Sequence, residues 1–254
     1  MTLHTQVSCP ASPTGAGIEF NVLYRPYAAP EANGEGREQP LGFTVALAPS
    51  TGPSTGPNTG PNTGEPAAAN LQAAVAFLID TAHGVVPAAT LARMIGCYCL
   101  ATTNGSGTDP HRGTAITVSL ANTRGGRATV RVDQPAFEIE RTAFGAAHIL
   151  HEDDTLGLYI LEIAPHSTIP AHCHRVMRES ELILDDGLLQ QGQPVARGNA
   201  YAWPFGYVHT YHNPTSQPRR ILCIDSPRFT PDDEVPLTAP PRLTLLAPLI
   251  NYLA

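Results

Sequence analysis

The stretch from His172 to Asn213, HCHRVMRESELILDDGLLQQGQPVARGNAYAWPFGYVHTYHN, limits what this chain can fold into more than any other. His172 and His174 stand two residues apart. In a β-strand such residues leave the same face, about 6.5 Å apart along the chain, so both imidazoles can close on one ion. Glu179 and Glu181 form a second pair of the same period. Two histidines joined by a carboxylate are a common ligand set for a divalent transition metal with open positions. His209 offers a fourth ligand, set between Gly198, Pro204 and Gly206 before it and Asn213 after it.

The intervals between Gly198, Pro204, Gly206, His209 and Asn213 resemble the second motif of the cupin superfamily at every position. His172, His174 and Glu179 resemble the first motif, which departs at both ends: His166 stands where a glycine is expected, and Gly187 comes one residue late. The distance from His174 favours Glu179 as the carboxylate ligand, with Glu181 as the alternative, while the distance to Gly187 suits neither. The resemblance covers about residues 137–230. It implies an all-β, jelly-roll-like barrel in which His172, His174, Glu179 and His209 hold Fe, Mn, Ni or Zn. Tyr201 and Trp203 share one strand face and Tyr211 shares that of His209; these three and Arg178 are candidate pocket residues, with barrel core as the alternative role of the aromatics and a surface position as the favoured alternative for Arg178.

Charge narrows the partners. The net charge is −7, all 15 basic residues are arginine, and none is clustered, which argues against nucleic acid or an anionic membrane. No basic leader precedes an apolar run and no stretch approaches the length of a membrane span, so a cytoplasmic protein is expected. The five cysteines are odd in number and form no disulfide framework or paired zinc pattern.

Ahead of the cupin-like segment, residues 1–17 read as a flexible N-terminus, and residues 18–24 and 41–48 read as strands. A TGPx repeat follows at 51–64, a surface excursion whose Pro and Gly exclude helix and ladder. Leu71, Val75, Leu78 and Ala82 then recur at helical period. Pro87 suits the first turn of a second helix, whose apolar face is Leu91, Ile95 and Tyr98. Strands over 113–121 and 127–135 flank a turn at Gly125-Gly126, giving an α+β order ββααββ.

That order, with REQPLGFTVALA and ATVRVDQP, resembles the dihydroneopterin aldolase domain, a tunnelling fold, over residues 18–136. The resemblance implies a catalytic lysine where Gln134 stands and a pterin-anchoring glutamate where Ala89 stands; Glu35 or Glu38 matches the family's early glutamate. A Gln amide cannot exchange protons near neutral pH, and Ala offers no acceptor to a pterin edge. The domain is therefore expected to be an inactive scaffold, and a homo-oligomer is expected because relatives close their barrels between subunits. The cupin domain is expected at 137–236 and an apolar tail in need of a partner at 237–254. Three functions follow: a metal-dependent cupin that acts on or binds a small molecule, as dioxygenase, isomerase or lyase; a non-catalytic metal or ligand sensor; or a dihydroneopterin aldolase of folate synthesis with a cupin appendage.

Overall fold

A computed structural model describes residues 6–8, 18–24, 41–49, 65–103, 115–133, 137–237 and 250–253. The chain divides into two compact units, 1–136 and 137–254. Glu35, Glu38, Gln134, the TGPx repeat and residues 238–249 of the tail lie outside the described residues.

The first unit is built on β1 (Gln6–Ser8), β2 (Ile18–Tyr24), β3 (Leu41–Pro49), β4 (Ile116–Asn122) and β5 (Arg127–Val132), paired antiparallel in that order. Helices α1 (Glu65–Ala82) and α2 (Ala88–Thr103) enter between β3 and β4. From β2 onward the element order is thus ββααββ, and β1 corrects the reading of the N-terminus as wholly loose, because Val7 pairs with Val22. Period 2 buries Phe43, Val45 and Leu47 on one face of β3, and helical period buries Val75, Leu78, Leu91, Ile95 and Tyr98. Gly96 sets how closely α2 can lie on the sheet: a Cβ there would meet Val132 Cγ2 at 2.6 Å and Val118 Cγ2 at 3.1 Å. No described helix is long and apolar enough to cross a membrane.

The second unit contains only strands and a short 3-10 turn among its described residues. Its strands are β6 (Glu138–Thr142), β7 (Gly145–Glu152), β8 (Gly157–Ile163), β9 (Thr168–His174), β10 (Arg178–Ile183), β11 (Leu189–Gln190), β12 (Gln193–Pro194), β13 (Asn199–Trp203), β14 (His209–His212), β15 (Arg219–Ser226), β16 (Glu234–Pro236) and β17 (Ile250–Asn251). Seven form one sheet, in the order β17-β13-β10-β15-β8-β7-β6, and five form another, in the order β12-β11-β14-β9-β16. Every pairing is antiparallel. The two sheets share one core, to which the first gives Tyr159, Ile163, Ile183, Tyr201, Trp203, Ile221 and Cys223 and the second gives Ile169 and Tyr211. This is a β-rich, cupin-like unit. Its tail is partly accounted for within the chain, since β17 pairs with β13.

One departure from the sequence motif, and one position that keeps it, have backbone explanations. His166 takes φ +58, the left-handed conformation that glycine adopts most readily. The position therefore keeps its geometry while losing its usual residue. Gly198, with φ +87, is packed as well as turned: a Cβ there would meet Asn251 Oδ1 at 2.7 Å and Leu253 Cγ at 2.8 Å. Asn213 is fully buried and fastens a corner, donating to Ile163 O (2.9 Å) and Gln217 O (2.8 Å) and accepting from the Thr215 backbone N–H (3.0 Å) and hydroxyl (2.7 Å).

Candidate metal centre

Strand pairing brings the sequence-distant ligands together. β9 turns His172 and His174 inward, β14 sets His209 directly opposite His172, and β10 supplies Glu179. The His172 and His209 rings lie 4.2 Å apart between centroids, and His172 and His174 lie 5.1 Å apart. All four side chains are buried, and one ligating atom from each lies within 4.8 Å of the others.

The hydrogen bonds set which nitrogen faces the centre. His172 Nδ1 lies 2.8 Å from Pro170 O and His209 Nδ1 lies 3.3 Å from Tyr207 O. A carbonyl only accepts, so each Nδ1 carries a proton and each Nε2 is the nitrogen that faces the centre. Glu179 Oε2 is 2.9 Å from His209 Nε2 and 3.5 Å from His174 Nε2. Yet these three atoms, and His174 Nδ1, make no properly directed hydrogen bond among the described residues. Buried polar atoms in that state oppose folding. Convergent nitrogen and carboxylate donors of this kind fit a divalent transition metal.

Charge follows the same geometry. Burial pushes the Glu179 carboxyl up, but His209 and the other histidines hold it well below the usual range. Burial lowers the His209 imidazole, and the Glu179 charge more than offsets this, raising it to about 9. His172 is pushed down to about 4 by burial and by His209.

Glu181 lies one inward position further along β10 and is engaged elsewhere. Trp203 Nε1–H and the Tyr211 hydroxyl both donate to its Oε2, the latter at 2.5 Å. Cys223 Sγ sits 3.9 Å from its Oε1. Burial and the Glu179 charge raise the Glu181 carboxyl to about 7. Trp203 also stacks on His209 at 4.8 Å and 5°. Tyr201, Trp203 and Tyr211 are at most 3 % exposed and pack into the core, so their visible role is to back and orient the centre. Arg178 is exposed and one residue out of phase with Glu179, which corrects its reading as a pocket group. In the first unit Ala89 is exposed near the start of α2.

Asp233 was not found in the sequence. Its carboxylate accepts the backbone N–H groups of Arg175 (3.1 Å), Val176 (2.9 Å) and Met177 (3.0 Å), and Oδ2 lies 3.7 Å from His174 Nδ1. One side chain therefore holds the turn between β9 and β10 and faces the outer nitrogen of a candidate ligand. Asp233→Ala is expected to leave the Val176 and Met177 N–H groups without their acceptor, while Arg175 N–H keeps the Asp233 backbone carbonyl at 3.1 Å, and to weaken metal binding by about 10–100-fold. Metal titration of the purified variant against wild type checks this. Asp225 was also unremarked: it is 4 % exposed, and burial together with Glu179 and Glu181 raises its carboxyl well above the usual range.

No family model and no curated protein matches the chain. It is similar to a solved structure of a protein from Planctomyces limnophilus, with 23% identity over 39% of this chain and 89% of that one, TM-score 0.33. It is similar to a sugar phosphate isomerase from a cupin superfamily of Silicibacter pomeroyi, with 17% identity over 36% and 71% of the two chains, TM-score 0.33. It is also similar to an oxalate decarboxylase variant from B. subtilis, with 15% identity over 41% of this chain and 31% of that one, TM-score 0.35.

Proposed function

We propose that the second unit is a metal-dependent cupin that binds or transforms a small molecule, with a divalent transition metal held by His172, His174, Glu179 and His209. The observation that carries this is the convergence of four buried ligating atoms within 4.8 Å, several of them without a directed partner. When bound, such a metal supplies a Lewis acid that polarises a ligand oxygen. The chain's own contribution is orientation and dryness: Pro170 O and Tyr207 O fix two imidazoles, Trp203 backs His209, and the core excludes water.

Elemental analysis of purified protein is expected to return about one Fe, Mn, Ni or Zn per chain, removable by chelator and restored on reloading. A metal-free preparation that refuses every one of these ions would sink the reading.

The first unit we read as a scaffold without aldolase turnover. Supporting this, the chain has no lysine anywhere, and Gln134 and Ala89 stand where the resemblance requires a proton carrier and a ring anchor. Loss of general acid-base catalysis alone costs about 10²–10⁴ in rate. Incubation with dihydroneopterin is expected to release no glycolaldehyde above background. Release at a normal aldolase rate, insensitive to chelator, would move the chemistry into the first unit.

A further inference from the structure

The inward face of β15 reads Ile221, Cys223, Asp225, because alternate residues of a strand share a face and the first two belong to the core. Asp225 Oδ1 is buried and has no hydrogen-bond partner among the described residues. Asp225 makes no ion pair among the described residues, every arginine of residues 137–237 is at least partly exposed, and the chain has no lysine. Across the sheet Asp225 faces Glu179 on β10 and Gly157 on β8. Directly opposed residues hold their Cβ atoms about 4.5–5.5 Å apart, so the carboxyl of Asp225 stands beside that of Glu179. An unpaired buried carboxyl opposes folding, and sites that break the rules of packing in this way are commonly functional.

We propose that Asp225 accepts a hydrogen bond from a hydroxyl of the small molecule bound at the metal centre, and that this molecule is a small hydroxy acid or vicinal diol. The proposal rests on the metal-site reading above. A ligand oxygen on a metal held by Glu179 would stand near that carboxylate, and Asp225 is opposite it on the neighbouring strand, about 4.8 Å away between strands. A second oxygen on the adjoining carbon, with the hydrogen bond that it donates, covers that step. Whether ionised or protonated, the carboxyl keeps an acceptor lone pair. A dianion is a poor match, because its second charge would meet the Glu179 carboxylate with no buried arginine in this unit to offset it.

The test uses the full chain loaded with Co(II), titrated with glycolate and with acetate, which differ by one hydroxyl, and followed by the visible spectrum of the cobalt. The variants are Asp225→Ala and Asp225→Asn. The preference for glycolate over acetate is expected to fall about tenfold or more in Asp225→Ala, with cobalt stoichiometry unchanged, and to be largely kept in Asp225→Asn, which retains a carbonyl acceptor. The metal-free Asp225→Asn protein is expected to melt at or above the wild-type temperature, since the amide keeps the carboxyl's shape and Oδ1 has no hydrogen-bond partner to lose. An unchanged preference in Asp225→Ala, a wild-type spectrum that neither anion moves, or a fall of several degrees in the Asp225→Asn midpoint would each overturn the proposal. A wild type that develops no cobalt spectrum removes the metal-site reading and this proposal with it. The two failures are distinguished by whether the spectrum forms.

Discussion

Glu179→Gln is expected to weaken metal binding beyond the ~10–100-fold loss that groups outside the ligand shell produce, whereas Glu181→Gln costs less than about tenfold. The amide keeps the shape of the carboxylate and removes its charge, so the comparison isolates the charge at each site. At Glu179 that charge faces two histidines, at 2.9 Å and 3.5 Å. At Glu181 the nearest partners are donors on Trp203 and Tyr211, and an amide oxygen still accepts from them. Competition against a chromogenic chelator measures both affinities. Equal losses at the two positions would remove Glu179 from the ligand set. The same pair controls pH dependence. Without metal the Glu179 charge raises His209 to about 9, so near neutral pH this imidazole is protonated and must lose its proton to ligate. Metal affinity should therefore rise about tenfold per pH unit from His209 alone and level off near pH 9. His172, at about 4, is already neutral across this window. In Glu179→Gln the cause of the raised value is gone, and the break should move toward neutral pH.

Trp203→Ala is expected to destabilise the second unit by about 3–5 kcal/mol, the usual cost of deleting a large buried aromatic. Trp203 is 1 % exposed, lies between Tyr201 at 5.7 Å and His209 at 4.8 Å, and donates to Glu181. Its loss opens a cavity behind a candidate ligand and removes one of two donors from a buried carboxylate. Metal binding should weaken with it, because His209 loses the surface that holds its ring in plane. Scanning calorimetry of the metal-free protein checks the stability, and elemental analysis checks the site. Trp203→Phe restores part of the packing without the N–H, so it separates the two contributions. A full metal complement in Trp203→Ala would show that the indole only fills space.

The candidate ligands were legible because a strand's period of two and a motif of turn residues both leave marks at fixed intervals. His172, His174 and His209 needed no tertiary information beyond that. Between Glu179 and Glu181, which have the same phase, the distance from His174 favoured Glu179 but the distance to Gly187 suited neither, and their different partners are visible only in the tertiary structure. Arg178, a pocket candidate whose favoured alternative was a surface position, is on the surface, because nearness in sequence to Glu179 says nothing about its face. Asp233 and Asp225 carry no local mark: their significance comes from β16 and β15 pairing with β9 and β10, contacts that span about 45–60 residues. In the first unit the helices were legible from apolar spacing, while the close approach at Gly96 was not, because it depends on Val118 and Val132 across the sheet.

The register of β9 against β14 slips between the His209–His172 pair and the Tyr211–Ile169 pair: three steps on one strand answer two on the other. The extra residue falls around Pro170 and Ala171, and it lets Ile169 and His172 face the same interior although their separation is odd. The histidines thus owe their orientation to an extra residue that is not itself a candidate ligand. A one-residue deletion there would turn His172 and His174 outward together while leaving the letters His-Cys-His unaltered. A lineage could extinguish this centre through a single lost codon and still display its signature intact, so among related chains the length of the segment from Ile169 to His172 is a better guide to a living site than the histidines themselves.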